Sequence, residues 1–286
     1  MTIAFWKPPC NIKGYVGVTA NLALLSSAIN FDRRVSCILL ENGYSPLNLG
    51  SVFMNRYGIS AAAENTVYDK RGIEIIMQRI LNGERINKET ILSASMQVYF
   101  KDFIYIPQSR ILNSEIFDER FSRTYRELYK SLNKYFYYTF TDIQRFGGTT
   151  SQIVISSADI VVVNLLQNRE MYRTFVTNYL SSIGNKAFFL ICRYRAESDF
   201  DIVHALRMKG IPMSRIAFVP YSIEFEEAAQ MSSIVHFVNN NYVRSKTRNN
   251  IYFMREIRSA VTKLVFFSEM IRSLKNDETD PEIEFL

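Results

Sequence analysis

Histidine is nearly absent from this chain: His204 and His236 are the only two in 286 residues. Tryptophan occurs once, cysteine three times and proline seven times. Each shortage removes a class of function. Neither histidine has a partner at hydrogen-bonding spacing in the sequence, so both read as core or surface residues and not as catalytic bases. No Gly-x-Ser-x-Gly segment and no Cys/His signature supports nucleophilic hydrolysis. Cys10, Cys37 and Cys192 are odd in number and far apart, with no Cys-x-x-Cys pair to hold a structural zinc. Cys37 and Cys192 lie in apolar runs and read as small core residues. No apolar run approaches the roughly 18 residues of a membrane-spanning helix. The opening MTIAFWKPP has no apolar segment long enough for a secretory signal. A reducing cytoplasm is the expected setting.

What is present fits a globular α/β chain. Hydrophobic residues make up 48% and charged residues 22%, enough apolar material for a core without disulfide staples. The formal net charge of +6 is mildly basic and reads as ordinary surface. The 21 phenylalanines and 17 tyrosines must lie mostly inside. Short apolar runs bounded by turn residues read as strands buried on both faces: Thr2–Trp6, Val35–Leu40, 101–108 ending at Pro107, Lys134–Asp142, and the runs SADIVVVNLLQN, KAFFLICRY and SRIAFVPY. Helical spacing falls between them. Leu22, Leu25 and Ile29 share one face after Thr19, and Phe117, Phe121, Tyr125, Leu128 and Leu132 share another over 114–134. RGIEIIMQRIL also reads as helical, NREMYRTFVTNYLSSIG as one helix ending at Gly184, and 249–274 as a long closing helix. Alternation of this kind predicts a mostly parallel sheet of about seven strands with helices on both faces. A single domain over 1–275 is expected, followed by a mobile acidic tail over 276–286 with five acids in eleven residues.

Between the first strand and the first helix stands KGYVGVTAN, Lys13 to Asn21. Strand, glycine loop and helix is the setting in which a phosphate loop has meaning, because free N–H groups and the helix dipole face the anion. KGYVGVT resembles the deviant Walker A loop, KGGxGK[ST], of the ParA/MinD family of P-loop ATPases. Lys13 falls on that family's signature lysine, Gly14 and Gly17 on two glycines, and Thr19 on the hydroxyl residue that holds magnesium. Tyr15 replaces a glycine, and Val18 replaces the lysine that grips the phosphates. The likeness continues over about residues 2–270. In ENGYSPLNLG, Glu41 stands at the first acid of the family's DxD segment, Gly43 at the second, and Asn48-Leu49 at the pair that follows. The strand ending in Asp142 resembles a Walker B strand, with a register open by one residue. Cys192-Arg193-Tyr194 lies where the family reads adenine, and Pro220 in FVPYSIEFEEA where it walls the base.

The resemblance implies nucleotide contacts from Lys13, Gly14, Gly17, Val18, Thr19, Ala20 and Pro220, and magnesium contacts from Thr19, Asp142 and Glu41. ATP or ADP with magnesium is the implied ligand. Lys13 would reach across a homodimer, and a plain solvated loop lysine is its alternative. Glu41 has the alternative of a capping acid. The loss of Val18's lysine and Gly43's acid implies weak or no hydrolysis. Within the family, the AFW strand, the non-standard loop and VPYSIEFEEA are most similar to the TadZ/CpaE-type proteins of Tad pilus systems. That likeness implies a scaffold that positions pilus or secretion machinery, reaching the inner membrane face or cell pole through partners. An active ATPase that partitions cargo on DNA is the second reading. The three basic residues of NNNYVRSKTRNN read as solvated, so DNA contact is not expected. The acidic tail is expected to be repelled by anionic lipid, so direct membrane docking is not expected either.

Overall fold

A computed structural model describes residues 1–9, 17–45, 48–53, 71–98, 102–108, 111, 113–143, 148–245 and 247–279. The strands are β1 (Thr2–Trp6), β2 (Cys37–Glu41), β3 (Met96–Gln97), β4 (Phe103–Tyr105), β5 (Tyr138–Asp142), β6 (Ile160–Leu165), β7 (Ala187–Tyr194) and β8 (Ile216–Pro220). They form one sheet in the order β3-β4-β2-β5-β1-β6-β7-β8. Every pairing is parallel except β3 with β4. All residues of β1, β2, β5 and β6 are buried. Strands buried on both faces need cover on both faces, which explains their near-continuous apolar sequence.

The helices that bear on the site are α1 (Val18–Arg33), α2 (Leu49–Phe53), α3 (Ile73–Leu81), α4 (Lys88–Ser93), α5 (Ser114–Tyr135), α6 (Thr149–Ser157), α7 (Arg169–Asn178), α8 (Leu180–Ile183), α9 (Ile202–Arg207), α10 (Ile223–Gln230), α11 (Ile234–Asn241) and α12 (Arg248–Thr279). One group gathers on α1, which packs against α2, α11 and α12, while α12 also lies along β8. A second group packs on α5, which touches α3 and α6. Helix α1 ends where Arg34 enters the left-handed region at φ 53° and its N–H bonds Asn30 O. The Asn30 amide then bonds Val35 O and turns the chain into β2. The histidines take no part in the core: both are exposed.

Among the described residues the structure departs from the periodicity in these places. The run from Lys134 is not all strand, since α5 continues to Tyr135 and β5 begins at Tyr138. An uninterrupted apolar run fits either element, and the bond from Phe136 N to Leu132 O closes the helix there. The run over 101–108 contributes only Phe103–Tyr105, and the two-residue antiparallel strand β3 precedes it. So short a strand carries no period that sequence can show. The helix over 168–184 breaks at Tyr179, whose φ of −129° is not helical. The closing helix runs through Thr279, past 275. Residues 54–70 and 280–286 lie outside the described residues.

Candidate functional site

A parallel sheet sends the C-terminal ends of its strands to one edge, and ligands bind there where strand order reverses. In this sheet the reversal falls at β1, which lies between β5 and β6 while the chain leaves it for α1 and β2. The ends of β1, β2, β5, β7 and β8 therefore bring Trp6, Glu41, Asp142, Tyr194 and Pro220 to the same edge as the start of α1.

Gly17 is the N-cap of α1 and sits at φ 68°, ψ 35°. That left-handed geometry is easy for glycine and strained for a side chain. A glycine N-cap has no side chain with which to cap α1, and the first turn carries no acid. The N–H groups of a helix start are partial positive charges, and here nothing acidic on the first turn opposes an incoming anion. Thr19 is half-buried on that turn, and Ala20 is buried beside it. Val18 is 7% exposed and belongs to the core, so the first turn presents a methyl-bearing side chain where the resemblance expects an amine. Lys13 and Gly14 lie outside the described residues.

Asp142 ends β5 and is 1% exposed. It is in register with Phe5 on one side and Glu41 on the other. Glu41 is fully buried. Its Oε1 accepts the Leu49 N–H at 2.5 Å and its Oε2 accepts the Tyr105 hydroxyl at 3.0 Å. The carboxyl group therefore anchors the start of α2 to β2. Burial, followed by the nearby Asp142 charge, pushes its pKa up to about 8. Two carboxyl groups that share one buried spot resist joint ionisation. Asn48 completes the α2 start by accepting the Ser51 N–H at 2.8 Å. Asn42 donates to Ser151 on α6 at 2.9 Å, which ties the end of β2 to the segment after β5. Among the described residues no three His, Cys, Asp or Glu side chains cluster as a metal cage. Magnesium, which keeps several waters and takes substrate phosphates, does not need one.

Sequence reasoning passed over the polar network beneath α1. The Asn21 amide donates to Asn164 Oδ1 at 3.0 Å and to Cys192 Sγ at 3.1 Å. Asn164 Nδ2 in turn donates to Trp6 O and Val162 O. Burial pushes the Cys192 thiol upward, so it stays a neutral partner. The signal was present as one asparagine inside the apolar IVVVNL of β6. Beside the network, a cavity lined by Gly17, Ala20, Asn21, Pro220 and Phe225 has a volume of about 20 Å³. That holds about one water. Arg193 and Glu226 close it, with Nε and Oε1 3.0 Å apart.

The start of α1 thus offers N–H groups to an anion, with the Asp142 carboxyl at the same edge of the sheet, while the cavity beside Pro220 has room for about one water. No protein-family model matches the sequence, and no curated protein matches it significantly. Solved structures do match the fold. The cell division ATPase MinD of Pyrococcus furiosus is 16% identical over 92% of this chain and 97% of its own, with a TM-score of 0.64. A ParA family ATPase from Chlorobium tepidum is 12% identical over 91% and 98%, with a TM-score of 0.65. The septum site-determining protein MinD of Pyrococcus horikoshii, complexed with Mg-ADP, is 16% identical over 95% and 99%, also at 0.65. At such identities the likeness establishes the fold and leaves the chemistry to this chain's own residues.

Proposed function

We propose that this chain is a ParA/MinD-like nucleotide-binding scaffold with weak or no ATP hydrolysis, positioning a Tad-type pilus or secretion apparatus. The observation that carries the reading is the first turn of α1. Its N-cap is a glycine and its residues include no acid, as suits a phosphate site, yet it holds Val18 in the core where a hydrolytic loop holds lysine. A contact between an amine and a phosphate contributes roughly 1.5–3 kcal/mol. Its loss removes transition-state stabilisation along with binding. Backbone N–H groups and magnesium remain. In this reading Gly17, Val18, Thr19 and Ala20 present the α1 start to the phosphates, Thr19 and Asp142 flank magnesium, and Pro220 walls the base. Glu41 is the anchor of α2 in place of a magnesium ligand. When bound, magnesium would neutralise phosphate charge. Lys13 and Gly14 complete the loop, with Lys13 reaching a second copy in a nucleotide-linked homodimer.

Steady-state phosphate release tests this. The expected outcome is a rate far below that of an ordinary P-loop ATPase, unchanged by Thr19→Ala. Ordinary turnover abolished by Thr19→Ala would establish the alternative reading, an active ATPase. The pilus role is tested by pull-down of the chain against the pilus ATPase and platform proteins of its own genome. Absence of any such partner would refute it.

A further inference from the structure

Arg193 stands at the border of two cavities. Strands β7 and β8 pair Cys192 with Val219 and then Tyr194 with Pro220, so Arg193 is the extra residue of a bulge. A bulge re-aims one side chain out of the regular pleat. Its backbone takes φ 50°, the left-handed region that a bulky residue holds only when its surroundings impose it. Those surroundings are specific. Nε meets Glu226 Oε1 of α10 at 3.0 Å. The guanidinium also stands 5.1 Å from the Tyr221 ring, and Arg195 stands 4.7 Å from the same ring. Beneath the Arg193–Glu226 bridge is the cavity of about 20 Å³ against α1. On its other side lies an open cavity of about 570 Å³ lined by Gln167, Arg195, Glu197 and Asp199. Arg193 lines both.

We propose that Arg193 is a displaceable plug, and that the group which displaces it is a planar, uncharged heteroaromatic ring of the nucleobase class. The inference rests on the nucleotide reading above and adds how the ligand gains access. Behind the plug the inner cavity admits only about one water, but its wall of Val219, Pro220, Phe225 and Ala229 is the apolar surface that a flat ring standing in place of the Arg193 side chain would meet. The plug is weakly held: the side chains of Arg193 and Glu226 are 39% and 27% exposed, and exposed pairs of this kind are screened by solvent. Swinging Arg193 away joins the two cavities and opens a path from solvent to the start of α1.

The test uses the full chain and two probes, Mg-ATP and magnesium with inorganic tripolyphosphate, which carries the phosphates without a base. Two variants pull the local charge in opposite directions: Glu226→Gln removes an anion and Arg193→Ala a cation. A plug predicts that both raise the preference for ATP over tripolyphosphate by about threefold to fivefold. Circular dichroism melts confirm that both variants fold. If simple electrostatics governs, then each variant shifts both probes together, in opposite directions for the two substitutions, and the plug is refuted. A preference that stays constant while both probes bind refutes it as well. Failure of both probes to bind any variant overturns the nucleotide reading itself.

Discussion

Val18 and Glu41 are the residues at which this site differs most from a working phosphate machine. Val18 is packed in the core at the helix start. Val18→Lys adds a long stem that can run along apolar surface and place its amine at the phosphates. The expected outcome is about a tenfold gain in Mg-ATP affinity by calorimetry. Unchanged or weaker binding would mean that the loop does not hold phosphate. Glu41 gives a prediction about pH. Burial and the Asp142 charge raise its folded pKa from 4.5 to about 8. The folded protein therefore keeps a proton that the unfolded chain releases within that window. Stability falls as pH climbs from about 4.5 to about 8 and levels off above it. Urea unfolding across this range should show the decline, and Glu41→Gln should flatten it and make the protein more stable at the alkaline end. A slope that survives in Glu41→Gln would assign it to another group. Neither feature was fully legible in the sequence. The missing lysine showed, but only the fold reveals that Glu41 spends both oxygens on Leu49 and Tyr105.

At the scale of the elements, the long helices and the central strands were readable because each carries a period or a bounded apolar run. Helix α5 shows its stripe from Phe117 to Leu132, and β6 its run of valines. What escaped was set by tertiary contact. Strand β3 exists because Met96 and Gln97 pair across to β4, and no local pattern records that. The break at Tyr179 places its ring 4.8 Å from Trp6, edge to face, which a helical register alone does not require. Asn164 was visible as a polar residue in an apolar strand, yet its partners Asn21 and Cys192 lie on other elements. It also bonds the Trp6 carbonyl, so it links β6 to the end of β1 and to α1. Asn164→Ala should destabilise the protein by about 1–3 kcal/mol in urea unfolding. It should weaken Mg-ATP binding too, because α1 loses its tether to the sheet. Loss of stability with unaltered binding would show that the network supports the fold and not the position of the helix start.

For the molecule as a whole, the sheet order puts the α1 start, Asp142 and the Pro220 cleft along one edge, and that is the setting of the proposed activity. The mostly parallel sheet followed from the alternation of strand and helix, and solved ParA and MinD structures share the fold. The closure of the cleft beside Pro220 did not follow, since Arg193 in the β7 bulge and Glu226 on α10 lie far apart in the sequence. The central claim is that the chain binds nucleotide and keeps it intact. A single-turnover experiment with labelled Mg-ATP and excess protein tests it most directly, by following both the bound fraction and its chemical identity. The account predicts that label is bound and recovered as ATP over times in which an ordinary P-loop ATPase would have converted it. Recovery as ADP and phosphate at an ordinary rate, or no bound label at millimolar protein, would contradict it.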